Sequence, residues 1–166
     1  MSGTGKSTLI AELAARGHRA VDLDCDEFSE WVGVEPGHDS APGSSVLPDR
    51  DWIWREDRVR DLLARDEGEA LFVSGCAANM TVFLPRFDDV VLLHAPADVI
   101  VERLAGRTGG EYGARSAEVS RVRELIESVE PLLRRIATHE LDTSGCLEDV
   151  VAAVLKLASE DRRPEL

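Results

Sequence analysis

The sequence opens on the stretch Met1-Ser2-Gly3-Thr4-Gly5-Lys6-Ser7-Thr8. A phosphate-binding loop has the pattern Gly, four residues, then Gly-Lys-Ser/Thr, and this stretch matches the pattern after its first residue. Small residues let successive backbone N–H groups surround a di- or triphosphate. A lysine adds a cation for the β- and γ-phosphates, and a serine hydroxyl suits Mg²⁺. We therefore predict a nucleoside triphosphate site with these binding residues: Ser2, Gly3, Thr4, Gly5, Lys6, Ser7 (also a metal ligand) and Thr8.

The leading Gly of this pattern would stand one place before Met1. A phosphate loop normally joins a buried parallel strand to a helix, and no residues precede the loop to form that strand. We expect a parent chain that starts upstream with a short apolar strand and a Gly. The alternatives are a complete chain, or a flexible Gly/Ser-rich terminus, but the apolar residues Leu9, Ile10 and Leu13 predict a helix directly after the loop.

Composition limits the classes of protein and of partner. With 166 residues, 43% of them hydrophobic and 31% charged, the chain predicts one globular domain over 1–160 and a polar tail over 161–166. Its net charge of −13 disfavours nucleic acid and acidic membranes as partners, and no run approaches a membrane span. Three scattered cysteines predict reduced thiols and a cytoplasmic location. The sequence carries no signal for an oligomeric state.

Helix and strand patterns alternate along the chain. Helices between strands imply crossover connections, so we predict a parallel α/β sheet covered on both faces, with strand order 2-3-1-4-5 and the first strand missing. Ligands then gather at the carboxyl ends of the strands. The four visible strands are predicted at 19–24, 69–74, 89–94 and 139–142. Helices are predicted at 7–16, 26–32, 52–65, 96–105, 119–136 and 147–158, with a short helix between Cys76 and about Leu84 and a long loop at 35–51.

The strand ending Val21-Asp22-Leu23-Asp24 resembles the Asp-x-Asp of shikimate kinases, which belong with adenylate kinases to the small P-loop kinases. That resemblance, which covers nearly the whole chain, implies that Asp22 helps to hold Mg²⁺ and that Asp24 binds the accepting hydroxyl. Phosphoryl transfer needs carboxylates in these two roles. The alternative is that these acids, together with Asp26, are caps and surface charges at a strand–helix junction.

Arg103-Leu-Ala-Gly-Arg107 resembles the Arg-x-x-x-Arg that opens the lid of adenylate-kinase-like enzymes. The resemblance implies that Arg103 lies over the adenine ring and that Arg107 contacts phosphates. A glycine-rich lid would follow at about 106–116. The alternative is a solvated helix end.

Trp54-Arg55-Glu56-Asp57-Arg58 resembles the region where shikimate kinases place a substrate-binding arginine, which implies that Arg55 holds an anionic group of the acceptor. Gly75 stands where the same kinases have the first of three substrate-site glycines, but Cys76 and Ala77 follow it. A second clamping arginine of those kinases is Val129 here. The acceptor is therefore expected to differ from shikimate. Trp52 and Trp54 either wall its pocket or are core aromatics.

These patterns predict an ATP- and Mg²⁺-dependent phosphotransferase that acts on a small-molecule substrate, a metabolite hydroxyl or a nucleotide. Lys6, Asp24 and Arg107 are the predicted catalytic residues. The alternatives are a P-loop nucleotide-binding or ATPase-like protein without a small acceptor, and an inactive truncated fragment.

Overall fold

A computed structural model of the chain describes residues 3–34, 49–65, 68–108, 120, 123–124 and 126–160. The chain divides into two compact units. The first unit comprises Met1–Leu9 and Asp89–Leu166, and the second unit comprises Ile10–Asp88. Each unit is described by itself below.

Helix α1 (Lys6–Ala15) begins directly after the phosphate loop, in agreement with the sequence pattern. Its apolar residues Leu9, Ile10 and Leu13 are buried, and Leu13 is completely so. The spacing of these three residues follows one face of a helix, which explains why this segment folds as predicted.

In the second unit, strand β1 (Arg19–Asp22) is followed by an antiparallel hairpin of β2 (Ser29–Gly33) and β3 (Arg50–Trp54), and by helix α2 (Glu56–Leu63). Strand β4 (Leu71–Ser74) then pairs in parallel with β1, as predicted. The register sets Asp22 opposite Ser74, so both strands end at the same edge. Two 3₁₀ turns complete the unit, at Met80–Val82 and Leu84–Arg86.

The hairpin corrects two predictions. Residues 26–32 were predicted to form a helix, and 50–54 were divided between a loop and the start of the next helix. Instead, Trp31 and Trp52 stand opposite each other in an antiparallel ladder, and α2 begins only at Glu56. The residues of β2 favour a strand because aromatic and β-branched side chains pack well across a ladder.

In the first unit, β5 (Val91–His94) pairs in parallel with β6 (His139–Asp142), as predicted. Helix α3 (Ala97–Thr108) follows β5, α4 (Glu130–Ile136) precedes β6 and α5 (Leu147–Glu160) follows it. Ile100 on α3 is almost fully buried, and it packs with Val99, Val101, Leu104 and Ile126.

The end of α3 lies beyond the predicted helix boundary, and the predicted lid stays a prediction. Residues 106–108 are helical, whereas the prediction ended this helix at 104 or 105. Residues 109–116 of the predicted lid, Ser2 and the tail 161–166 lie outside the described residues. The strand order that would join the two parallel pairs stays a prediction, as does the missing first strand.

Candidate functional site

The phosphate loop has the backbone that its glycines predict. Gly3 and Gly5 have φ angles of +83° and +92°, a region that other residues rarely adopt. Between them, Thr4 is buried, and the N–H of Leu9 donates to the carbonyl of Gly5 at 2.9 Å, which continues the turn into α1. The loop therefore leads into a helix N-terminus, where backbone N–H groups attract an anion.

Gly3 also lies against helix α3. A Cβ at Gly3 would stand 2.7 Å from Cγ2 of Ile100 and 3.3 Å from Cγ of Leu104, so no larger residue fits without a shift. At Gly5, by contrast, a Cβ would meet no atom within 4 Å. One side of the loop is thus closed by α3, and the other side is open to a ligand.

A pocket of about 250 Å³ lies beside this loop. Its volume is near the lower end of the range of about 300–1,000 Å³ for small-molecule sites. Three parts of the first unit form it: the loop and the start of α1, helix α3, and the segment from the end of β6 into α5. The lining residues are Gly3, Gly5, Thr8, Leu9, Arg103, Thr143, Gly145, Leu147 and Val150.

Four residues assigned from the sequence therefore share this pocket, namely Gly3, Gly5, Thr8 and Arg103. The sequence analysis gave no role to the side chains of Leu147 and Val150. It predicted only a helix over 147–158, and a helix by itself does not indicate a pocket.

Arg103 is held in this pocket by Thr143. Nη1 of Arg103 donates to the hydroxyl of Thr143 at 3.2 Å, and Nη2 donates to its carbonyl. The same hydroxyl lies 3.0 Å from the carbonyl of Thr4 and 3.1 Å from that of His94. A buried hydroxyl thus links the phosphate loop, the end of β5 and the arginine of α3.

Asp142 lies directly before this threonine. Hydrogen bonds from the hydroxyl and the backbone N–H of Ser144 hold the pKa of the Asp142 carboxyl below its ordinary value, with smaller contributions from the charges of His94 and Arg103. The N–H of Ser144 donates to Oδ1 of Asp142 at 2.7 Å. This turn fixes the backbone that carries Thr143.

In the second unit, Asp22 and Asp24 are connected by hydrogen bonds. Oδ1 of Asp22 accepts from the backbone N–H of Asp24 at 3.1 Å and from the hydroxyl of Ser74 at 3.0 Å. Oδ1 of Asp24 accepts from the backbone N–H of Cys76 at 2.9 Å. Asp22 therefore connects the ends of β1 and β4, and Asp24 is anchored beside the segment that follows β4.

Gly75 brings Asp24 and Trp54 together. A Cβ at Gly75 would stand 2.9 Å from Cζ2 of Trp54, 3.0 Å from its Nε1 and 3.1 Å from Oδ1 of Asp24, so a larger residue fits only if a neighbour shifts. The Trp54 side chain is buried, and its Nε1 has no hydrogen-bond partner within the described part of the chain. Such a buried donor requires an explanation, because most buried polar groups are paired.

Arg55 lies elsewhere in the second unit. Its Nη1 is 3.4 Å from Oε2 of Glu30, and both side chains are about 40% exposed. Successive residues of an extended strand point to opposite faces. Arg55 therefore lies on the same face of the hairpin as Glu30, and Trp54 lies on the opposite face. The structure brings Asp24 and Gly75 together, but it does not bring Arg55 to them.

Other predicted site residues have fewer described contacts. Lys6 begins α1 and Ser7 follows it on an exposed position. Arg107 lies in α3, but its side chain is outside the described residues. Among the described residues, no three His, Cys, Asp or Glu side chains cluster as a metal site, and no helix is long and apolar enough to cross a membrane.

The family comparison includes the phosphate loop and helix α3. Residues 1–125 match a family described as an AAA domain. The chain belongs to this AAA domain family. This is a family of P-loop NTPase-type domains that includes kinases, and it implies a nucleotide ligand and usually Mg²⁺. No curated protein matches the chain.

The residues present fit the nucleotide that the AAA domain family implies. No atom lies within 4 Å of a Cβ placed at Gly5, so a phosphate group has space to approach the backbone of the loop there. The same pocket contains the guanidinium of Arg103 and the apolar side chains of Leu9 and Leu147. A cation near the phosphates and an apolar surface near the base are what a nucleoside triphosphate requires. The chain is thus a P-loop nucleotide-binding domain.

Proposed function

We propose that this AAA domain is an ATP-dependent phosphotransferase that transfers the γ-phosphoryl group to a hydroxyl of a small acceptor. The proposal rests on the anchored carboxylate of Asp24. Its Oδ1 is held by the N–H of Cys76, and the side chain as a whole is exposed. A carboxylate that is held in place can orient a hydroxyl and accept its proton.

The acceptor oxygen forms a bond to the γ-phosphorus, the bond from that phosphorus to the β,γ-bridging oxygen breaks, and ADP leaves. Asp24 accepts the hydroxyl proton. Lys6 and Arg107 are the proposed partners of the developing charge on the transferred group.

Mg²⁺, when bound, would neutralise phosphate charge, and Ser7 and Asp22 are its proposed ligands. Oδ1 of Asp22 already accepts two hydrogen bonds, which fixes the carboxyl group and suits contact with the metal through water. We also propose a cytoplasmic location, which three unpaired cysteines support.

The test measures ADP release by the purified chain with ATP, Mg²⁺ and a panel of hydroxyl compounds. Release that depends on an acceptor, together with a phosphorylated product detected by mass spectrometry, supports a phosphotransferase. Release that no acceptor stimulates would instead identify an ATPase-like protein, and nucleotide binding without any release would identify an inactive nucleotide-binding fragment.

A further inference from the structure

An unpaired donor and an anchored acceptor meet beside Gly75. Nε1 of Trp54 and Oδ1 of Asp24 both lie about 3 Å from the point where a Gly75 Cβ would stand. The Trp54 side chain is only 4% exposed, and its N–H lacks an acceptor in the described part of the chain. A hydroxyl group has the chemistry that serves both, because its oxygen accepts from an N–H while its proton is donated to a carboxylate.

A row of indoles continues from this point along one face of the hairpin. Trp54, Trp52 and Trp31 share that face, since β2 and β3 alternate their side chains and Trp31 stands opposite Trp52. Residues at positions i and i+2 of a strand are about 7 Å apart, a distance similar to the width of one ring of a bound ligand. The Trp31 and Trp52 rings lie 5.0 Å apart between centroids, and Trp31 is 50% exposed.

The charges of the same unit disfavour an anionic ligand. Nη1 of Arg55 lies 3.4 Å from Oε2 of Glu30 on the opposite face of the hairpin, and the buried Nε of Arg55 has no hydrogen-bond partner in the described part of the chain. Cζ of Arg50 lies 5.8 Å from the ring centroid of Trp31, where a cation is attracted by the indole. Asp22 and Asp24 add negative charge at the ends of β1 and β4. Among the described residues, a carboxylate ligand near Gly75 would therefore meet the like charge of Asp24, and Arg55 lies on the other face of the hairpin.

We infer that the acceptor is an uncharged ring compound with a hydroxyl group, which rests on the phosphotransferase proposed above. The hydroxyl accepts from Nε1 of Trp54 and donates to Asp24, and the flat face of the ring stacks on Trp31, the exposed indole of the row, whose plane is tilted by 55° from that of Trp52. Trp54 is then a substrate-contacting residue. Nucleosides and pyranose sugars share this chemistry, because a base or the C–H face of a sugar can stack on an indole.

The experiment measures acceptor binding separately from transfer. Saturation-transfer NMR and calorimetry follow uridine, glucose and shikimate binding to the full chain, with a non-hydrolysable ATP analogue saturating the nucleotide pocket. Trp31→Ala tests the stacking surface, and Val82→Ala is its matched control because Val82 is similarly exposed, at 52%, in the same unit. Trp54→Phe keeps a ring and removes the N–H.

We expect uridine or glucose to bind and shikimate to bind more weakly or not at all; which of the first two binds identifies the ring. Trp31→Ala should weaken that binding about fivefold or more, and Trp54→Phe about tenfold, while Val82→Ala has no effect. Tighter binding of shikimate, or unchanged affinity in both tryptophan variants, would overturn the inference. Neither result decides whether the chain is a phosphotransferase. That proposal is tested separately, and it fails if an acceptor binds but is never phosphorylated.

Discussion

Arg103 donates from both terminal nitrogens to Thr143, one bond to the hydroxyl and one to the carbonyl. Two bonds to one residue fix the plane of the guanidinium. Because the Thr143 hydroxyl also lies 3.0 Å from the carbonyl of Thr4, the same residue connects this plane to the phosphate loop. The arginine predicted to cover the base is thus held in the pocket by hydrogen bonds within the chain itself.

The first prediction concerns this threonine. Thr143→Val keeps the shape and removes the hydroxyl that accepts from Arg103 and reaches the loop. Hydrogen bonds to charged groups contribute about 1.5–3 kcal/mol, so we expect ATP-analogue affinity to fall about tenfold in calorimetry. Thr143→Ser, which retains the hydroxyl, should restore most of it.

Thr138→Val is the matched control for Thr143→Val. The Thr138 hydroxyl accepts from the N–H of Val90 at 2.9 Å and lies 3.1 Å from Oδ1 of Asp89, immediately before β6 instead of after it. Loss of this hydroxyl should lower the melting temperature without changing nucleotide affinity. If both valine variants weaken nucleotide equally, Thr143 acts only through stability.

The second prediction concerns Lys6. Lys6→Ala should lower turnover about 100-fold or more, because an ammonium at the phosphates stabilises charge that grows during transfer. Lys156→Ala is the control, since Lys156 is 73% exposed on α5 and 3.8 Å from Glu160. Circular dichroism should show both variants folded. Turnover in Lys6→Ala that equals the control would remove Lys6 from the proposed mechanism.

The third prediction concerns Asp24. Asp24→Asn keeps the shape of the side chain but removes the negative charge, so transfer should fall about 100-fold or more while nucleotide affinity persists. Asp26→Asn, two residues further along in an exposed turn, should transfer normally. If Asp24→Asn retains near-normal transfer, Asp24 is a structural acid and the acceptor binds elsewhere.

The sequence predicted the features that depend on local pattern. Short-range spacing was enough to predict the glycine positions of the phosphate loop, the start of α1, and the strands that pair as β1–β4 and β5–β6. The β2–β3 hairpin could not be predicted in this way. Its paired residues Trp31 and Trp52 are too far apart in sequence for a short-range pattern to include both. Thr143 was missed as a side chain for the same reason: its partners Thr4, His94 and Arg103 are distant in sequence.

The fourth prediction concerns the pH dependence of the turn at Asp142. Its pKa is lowered from 3.8, chiefly by the Ser144 hydroxyl and then by the Ser144 backbone N–H. A carboxyl whose pKa is lower in the folded state stabilises that state above its unfolded pKa. The stabilisation is lost as pH falls from about 3.8 through the folded value. Carbon-13 NMR should place the Asp142 midpoint below 3.8.

Ser144→Ala tests the cause of this shift. It removes the hydroxyl contribution but keeps the backbone N–H, so the Asp142 midpoint should move up without fully returning to its ordinary value. The stability difference between Ser144→Ala and the unchanged chain, measured by urea unfolding, should shrink as pH falls from about 6 through the folded-state midpoint of Asp142, because the carboxyl is then protonated in both. Ser159→Ala is the control, because the Ser159 hydroxyl donates to the carbonyl of Lys156, which does not titrate. A midpoint unchanged by Ser144→Ala would show that the backbone N–H and the neighbouring charges of His94 and Arg103 set the pKa of Asp142.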